Sequence, residues 1–175
     1  VYNEDYFNQI LGALEQGLLE AEENLVPVRV ARSAARISGV ATDRNDPTRE
    51  IDDEANLLIF SSSKRRYSLL HYAVHPTVLG PDNLLISRDL VGYSLDYLER
   101  YLGSEVSLFV NGATGNVSTR FVRRAQNFEE AKRLGTLLAE QVLKDMTLQE
   151  MKWVEDAELQ TMELLLELRL KHPKR

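Results

Sequence analysis

Apolar residues recur at helical spacing near the start of the chain. Phe7, Ile10, Leu14, Leu18, Ala21 and Leu25 stand three or four apart, behind Asn3 as an N-cap and ahead of Pro27. This predicts a helix with one buried stripe. The β-branched and small residues of 28–40 predict a strand, and the Asp, Asn and Pro content of 41–49 predicts a loop. Short apolar runs at 57–60 and 67–74 predict two strands joined across the turn at 61–66. The second should stop at His75, because Pro76 has no N–H for a ladder.

After a turn at Gly80, Pro81, Asp82 and Asn83, the residues Val91, Leu95, Leu98 and Leu102 share one face of a helix that Gly103 closes. Residues 106–110 read as a buried strand that leads into the glycine-punctuated loop 111–120. Asn127 and Glu130 resemble a capping box, with Ala131, Leu134, Leu138 and Val142 behind it as a third helical stripe. Finally, Met162, Leu164, Leu166, Leu168 and Leu170 alternate with Thr161, Glu163, Leu165, Glu167 and Arg169, a period of two that predicts a strand with one buried face. Helices and strands thus alternate, which predicts an α/β fold: a layered domain with a mixed β-sheet and flanking helices.

Composition narrows the function classes. At 175 residues and 43% hydrophobic content the chain can bury one core. A net charge of -6 argues against a nucleic-acid partner, since such surfaces concentrate positive charge, and Lys64, Arg65 and Arg66 read as a solvated turn. With no cysteine, thiolate metal sites and cysteine nucleophiles are excluded. No apolar run reaches the ~20 residues of a membrane span, so no transmembrane segment is predicted in this portion.

The three histidines are His71, His75 and His172. On a strand, His71 and His75 share a face roughly 13 Å apart, too far to ligate one ion together. His75 is the better candidate ligand, because a strand ending in His-Pro fixes and exposes the imidazole. His172 belongs to a charged tail and reads as solvated. The loop 111–120 lacks the lysine of a phosphate cradle. Its glycines suit either a site where backbone meets substrate, with the Ser118 hydroxyl and nearby amides facing a reacting carbonyl, or an ordinary turn after a strand.

Several segments together resemble neutral and alkaline ceramidases. His75, Pro76 and Thr77, then Asn83, then Ser87 and Asp89, then Gly92 and Tyr93 are similar in order and spacing to a family stretch of His-Pro-Thr, Asn, Ser-x-Asp and Gly-Tyr. Gly115, Asn116, Val117 and Ser118 resemble its Gly-Asp-Val-Ser segment, and Asp43 and Arg44 fall where it usually shows Asn-Arg. Asp43 thus replaces Asn, and Asn116 replaces Asp. Thr119 and Arg120 also stand where the family has Pro-Asn.

The resemblance implies a zinc-dependent hydrolase of N-acyl amide bonds acting on a small-molecule or lipid substrate. It implies His75 as a Zn2+ ligand, Ser118 as catalytic hydrogen-bond donor or nucleophile, and Arg44 beside the scissile amide. Asn111, Gly115, Asn116, Asp89 and Tyr93 would line the substrate or support the residues that do. It further implies that residues 1–175 are part of a single catalytic domain truncated at both ends. The other zinc ligands would then lie elsewhere, and the isolated chain is expected to be inactive.

Overall fold

The computed structural model describes residues 3–144, 146, 151–156, 158 and 160–167. Helix α1 is Glu4–Glu23, and the Asn3 side chain accepts a hydrogen bond from the Tyr6 amide at 3.0 Å, as an N-cap should. The helix ends one residue before its cap, Asn24, so Leu25 falls outside it. The expected buried stripe is absent. No residue of α1 is buried, Leu14 and Leu18 are 59% and 71% exposed, and α1 packs on no other helix or strand. Spacing made the helix, but no other described helix or strand covers its apolar side.

Four strands form one sheet in the order β1-β3-β4-β5. These are β1 (Arg29–Arg36), β3 (Glu54–Ser61), β4 (Arg66–Tyr72) and β5 (Val106–Asn111), while β2 (Thr42–Asp43) and β6 (Val117–Ser118) pair separately. The β1-β3 and β3-β4 pairs are antiparallel and the β4-β5 pair is parallel, so the sheet is mixed as expected. The hairpin turn is 62–65, held by the Ser62 amide on the Arg65 carbonyl at 2.9 Å, whereas Arg66 is not part of a solvated turn but begins β4 half-buried, its guanidinium donating to the Leu102 carbonyl. Parallel pairing of β4 and β5 requires a crossover, which helix α2 (Asp89–Leu102) supplies. That helix stops at Gly103, whose φ of 64° lies in the left-handed region that glycine adopts without strain.

One face of the sheet carries Ala31, Ala55, Leu57, Ile59, Leu70 and Tyr72, all buried, beneath α2 and helix α3 (Phe128–Leu143). The two helices cross at Gly135. A Cβ there would lie 2.2 Å from the Leu90 carbonyl oxygen and 2.8 Å from Tyr93 Cβ, and the Ser94 hydroxyl donates to the Gly135 carbonyl at 3.0 Å. Asn127 caps α3 by accepting from the Glu130 amide at 2.9 Å, but the capping box is not closed. The Glu130 carboxylate accepts instead from the Arg124 amide and from Arg133.

On the opposite sheet face, largely apolar, no described helix is packed. The strand register aligns Val30, Phe60, Tyr67 and Val106 in one row and Arg32, Leu58, Leu69 and Leu108 in the next. Residues 106–110 are therefore not a buried strand but an edge strand, with Val106, Leu108 and Val110 exposed at 47%, 58% and 45%. The expected strand from 161 is also absent over 161–167, which are irregular and exposed. Alternation alone cannot order a strand without a ladder partner. Leu168, Leu170 and His172 lie outside the described residues.

Candidate active site

Three distant segments meet at β6. On one side it pairs antiparallel with β2, placing Thr42 opposite Ser118 and Asp43 opposite Val117. On the other, His75 forms a parallel bridge with Ser118, and its amide donates to the Val117 carbonyl at 3.0 Å. The Arg44 amide donates to the Asn116 carbonyl at 2.7 Å. Arg44, His75 and Ser118 thus sit on or next to one two-rung ladder. β4 stops at Tyr72, two residues short of the expected end at 74, and His75 pairs again only through its single bridge to Ser118, directly before Pro76.

The side chains are held individually. Ser118 is 6% exposed, and its Oγ accepts from the Arg120 amide at 3.2 Å, which leaves the hydroxyl hydrogen available to another acceptor. The Arg120 guanidinium reaches the Arg44 carbonyl at 3.4 Å, while the Arg44 side chain is exposed. His75 Nδ1 lies 3.0 Å from the Val117 carbonyl oxygen. A carbonyl can only accept, so Nδ1 carries the proton and Nε2 keeps its lone pair. This is the arrangement typical of a metal-ligating imidazole, whose second nitrogen donates to a carbonyl or carboxylate.

Asp43 is 4% exposed, and every contact of its carboxylate stabilises the ionised form. The Asn116 side-chain amide donates to Oδ2 at 2.8 Å, and the amides of Asn45 and Asp46 donate to Oδ1 at 2.7 and 3.2 Å. The Asn116 amide and then the Asn45 amide hold the Asp43 pKa below the ordinary aspartate value, against the opposing effect of burial. The hydroxyls of Thr42 and Thr119, both adjoining the ladder, are buried without a hydrogen-bond partner. In folded proteins such groups normally find one.

The remaining expected residues are placed as follows. Asn111, at the end of β5, accepts from the Val74 amide at 3.3 Å and so fixes the segment between β4 and His75. Gly115 faces open space, with no atom within 4 Å of a Cβ placed there, whereas Gly112 is crowded by His71 Nε2 and Ala73 Cβ, both at 3.1 Å. Asp89 has φ 51°, and its carboxylate accepts from the amides of Val78, Leu79 and Leu90. It ties the loop after His75 to the head of α2. Tyr93 lies one turn on, half-buried, and shares with Asp89 a pocket of about 200 Å³ that none of Arg44, His75 or Ser118 lines.

Asp43 and Arg120 were not among the expected site residues. The clue to Asp43 was its place just before Arg44, and for Arg120 it was a cation two residues past Ser118. Among the described residues no group of three or more His, Asp or Glu is placed to hold a metal ion. None of the described helices is long and apolar enough to cross a membrane.

The architecture, a mixed sheet with helices packed on one face, is one that this chain shares with solved ceramidases. A structure of a ceramidase complexed with C2 superposes with a TM-score of 0.66 at 20% identity, covering 82% of this chain. The neutral ceramidase of Pseudomonas aeruginosa does so with a TM-score of 0.67 at 19% identity, over the same share. In both cases 26% of the solved chain is covered, so the chain spans about a quarter of their length. No family model matches the chain, and no curated protein matches it by sequence.

Proposed function

We propose that this chain is part of a zinc-dependent hydrolase of N-acyl amide bonds, ceramidase-like in its substrate, releasing a fatty acid from an N-acylated sphingoid base. The observation that carries the reading is the meeting of Arg44, His75 and Ser118 on the β6 ladder in a fold shared with ceramidases. Those are the three residues singled out from motif resemblance, and they come from segments 31 and 43 positions apart.

His75 would hold the metal through Nε2, its ring fixed by the Nδ1 bond to Val117. Zinc, when bound, supplies a Lewis acid and lowers the pKa of its water toward ~7. The remaining ligands would come from outside the described residues, and the 175-residue chain by itself is expected to be inactive. Ser118 donates its hydroxyl hydrogen to the oxyanion formed on the acyl carbonyl, and the exposed Arg44 guanidinium adds positive charge on the same side.

The test is zinc content and fatty-acid release from an N-acylsphingosine by the intact polypeptide. The expected result is about one zinc per chain, lost in His75→Ala, and retained in Ser118→Ala with turnover down at least about a hundredfold. Zinc-dependent release from short N-acyl amides or esters, with none from the sphingolipid, would point to a hydrolase of the same fold and another substrate. A polypeptide without metal, indifferent to both substitutions, would be a non-catalytic lipid- or protein-binding relative.

A further inference from the structure

We propose that Asp43 and Asn116 are a positioning pair, a single donor–acceptor lock that sets the Arg44 loop against the Ser118 loop. Two of the four departures from the resembled motifs, Asp where Asn is usual and Asn where Asp is usual, are each other's partners. They are therefore one exchange and not two losses. The proposal rests on the hydrolase reading for its effect on turnover and on geometry alone for the lock.

The geometry is a two-point clamp across the peptide between Asp43 and Arg44. Asn116 grips it with the side-chain amide, which donates to Asp43 Oδ2 at 2.8 Å, and with its carbonyl, which accepts from the Arg44 amide at 2.7 Å. Asp43 Oδ1 is already committed to the amides of Asn45 and Asp46, so only Oδ2 faces Asn116. At this contact one partner must donate and the other accept. Asp with Asn satisfies that in either order, because Asn at 43 would keep its oxygen on the two amides and turn its NH2 toward a carboxylate at 116.

Two carboxylates in the same places would lose the bond and repel at hydrogen-bond distance. The other charges near Asp43 are Arg49, which favours its ionised form, and Asp46, which does not. Arg120, bonded to the Arg44 carbonyl, completes the surroundings. One residue on from Asp43 and two on from Asn116 stand Arg44 and Ser118, so a slip at the lock moves both together. That slip acts through positioned groups and not on substrate directly.

The test compares Asn116→Asp with the exchange Asp43→Asn/Asn116→Asp in the intact polypeptide. Asn116→Asp should lower kcat/KM by at least about tenfold at neutral pH, since a displacement of 1 Å can cost more than that. Activity should rise again on acidification as the carboxylate pair takes up a proton, an ionisation the unaltered protein lacks. The exchange should restore kcat/KM to within about threefold and remove the new ionisation, since neighbouring sites couple.

Hydrogen exchange of the Arg44 amide should follow the same order: fast in Asn116→Asp, slow again in the exchange. A silent Asn116→Asp, or an exchange that rescues nothing, overturns the proposal. If no N-acyl substrate is turned over by any form, the hydrolase reading fails, and the Arg44 amide alone decides the lock.

Discussion

Single residues in this chain do their work by choosing among backbone amides. Asn3 and Asn127 each accept the amide three positions on, and both were legible as caps because the partner is local. Asp43 was not legible as a partner of Asn116, since their bond spans 73 positions and no local pattern announces it. Glu130 shows the same limit: the capping position was readable, yet its carboxylate turns to Arg133 and the Arg124 amide. Arg133, foremost, holds the Glu130 pKa below the ordinary glutamate value, so its stabilisation is full above the unfolded value and is lost as pH falls through the folded one. Glu130→Gln should therefore cost about 1–3 kcal/mol at neutral pH. Its melting temperature should also fall less steeply than that of the unaltered protein below a pH of about 4. Thermal melts along a pH series check both.

At the scale of elements, periodicity identified helices and most strands, and failed where burial depended on a neighbour. The stripe of α1 is real in sequence, yet the helix packs on nothing described. Residues 106–110 looked buried because three valines and leucines alternate there, but they lie at the sheet edge with that side exposed. The α2–α3 crossing was foreshadowed by two apolar stripes, while its closeness depends on Gly135, whose spacing from the Leu90 carbonyl no stripe encodes. Gly135→Ala forces the helices apart and should lower stability by about 1–3 kcal/mol, the usual effect of overpacking. Thermal melting measures the loss. Gly115→Ala, placed in open space, should leave the melt unchanged.

For the molecule as a whole, the layered α/β class was legible from alternation, whereas strand order and the β6 ladder were not, because sequence order and spatial order differ. The layering is one-sided: helices cover one face of the sheet, and rows centred on Leu58, Leu69 and Leu108 are left on the other. If further polypeptide covers that face, Leu108→Lys should change the melting of the 175-residue chain by no more than the ~0.5 kcal/mol of a surface substitution. In the intact polypeptide it should cost several times as much, because there an unpaired charge would be buried. Melts of both forms side by side make the comparison.

The one-sided sheet also sets a clock. Strands β1, β3, β4 and β5 and both covering helices are complete by Leu143, so the helical side can close while any later segment is still on the ribosome. If a later segment covers the other face, each further hundred residues of synthesis, at about 5–20 residues per second, leaves that face wetted for roughly 5–20 s. That interval far exceeds the microseconds in which a hairpin such as β3–β4 forms. During translation that face of the sheet would be a waiting surface.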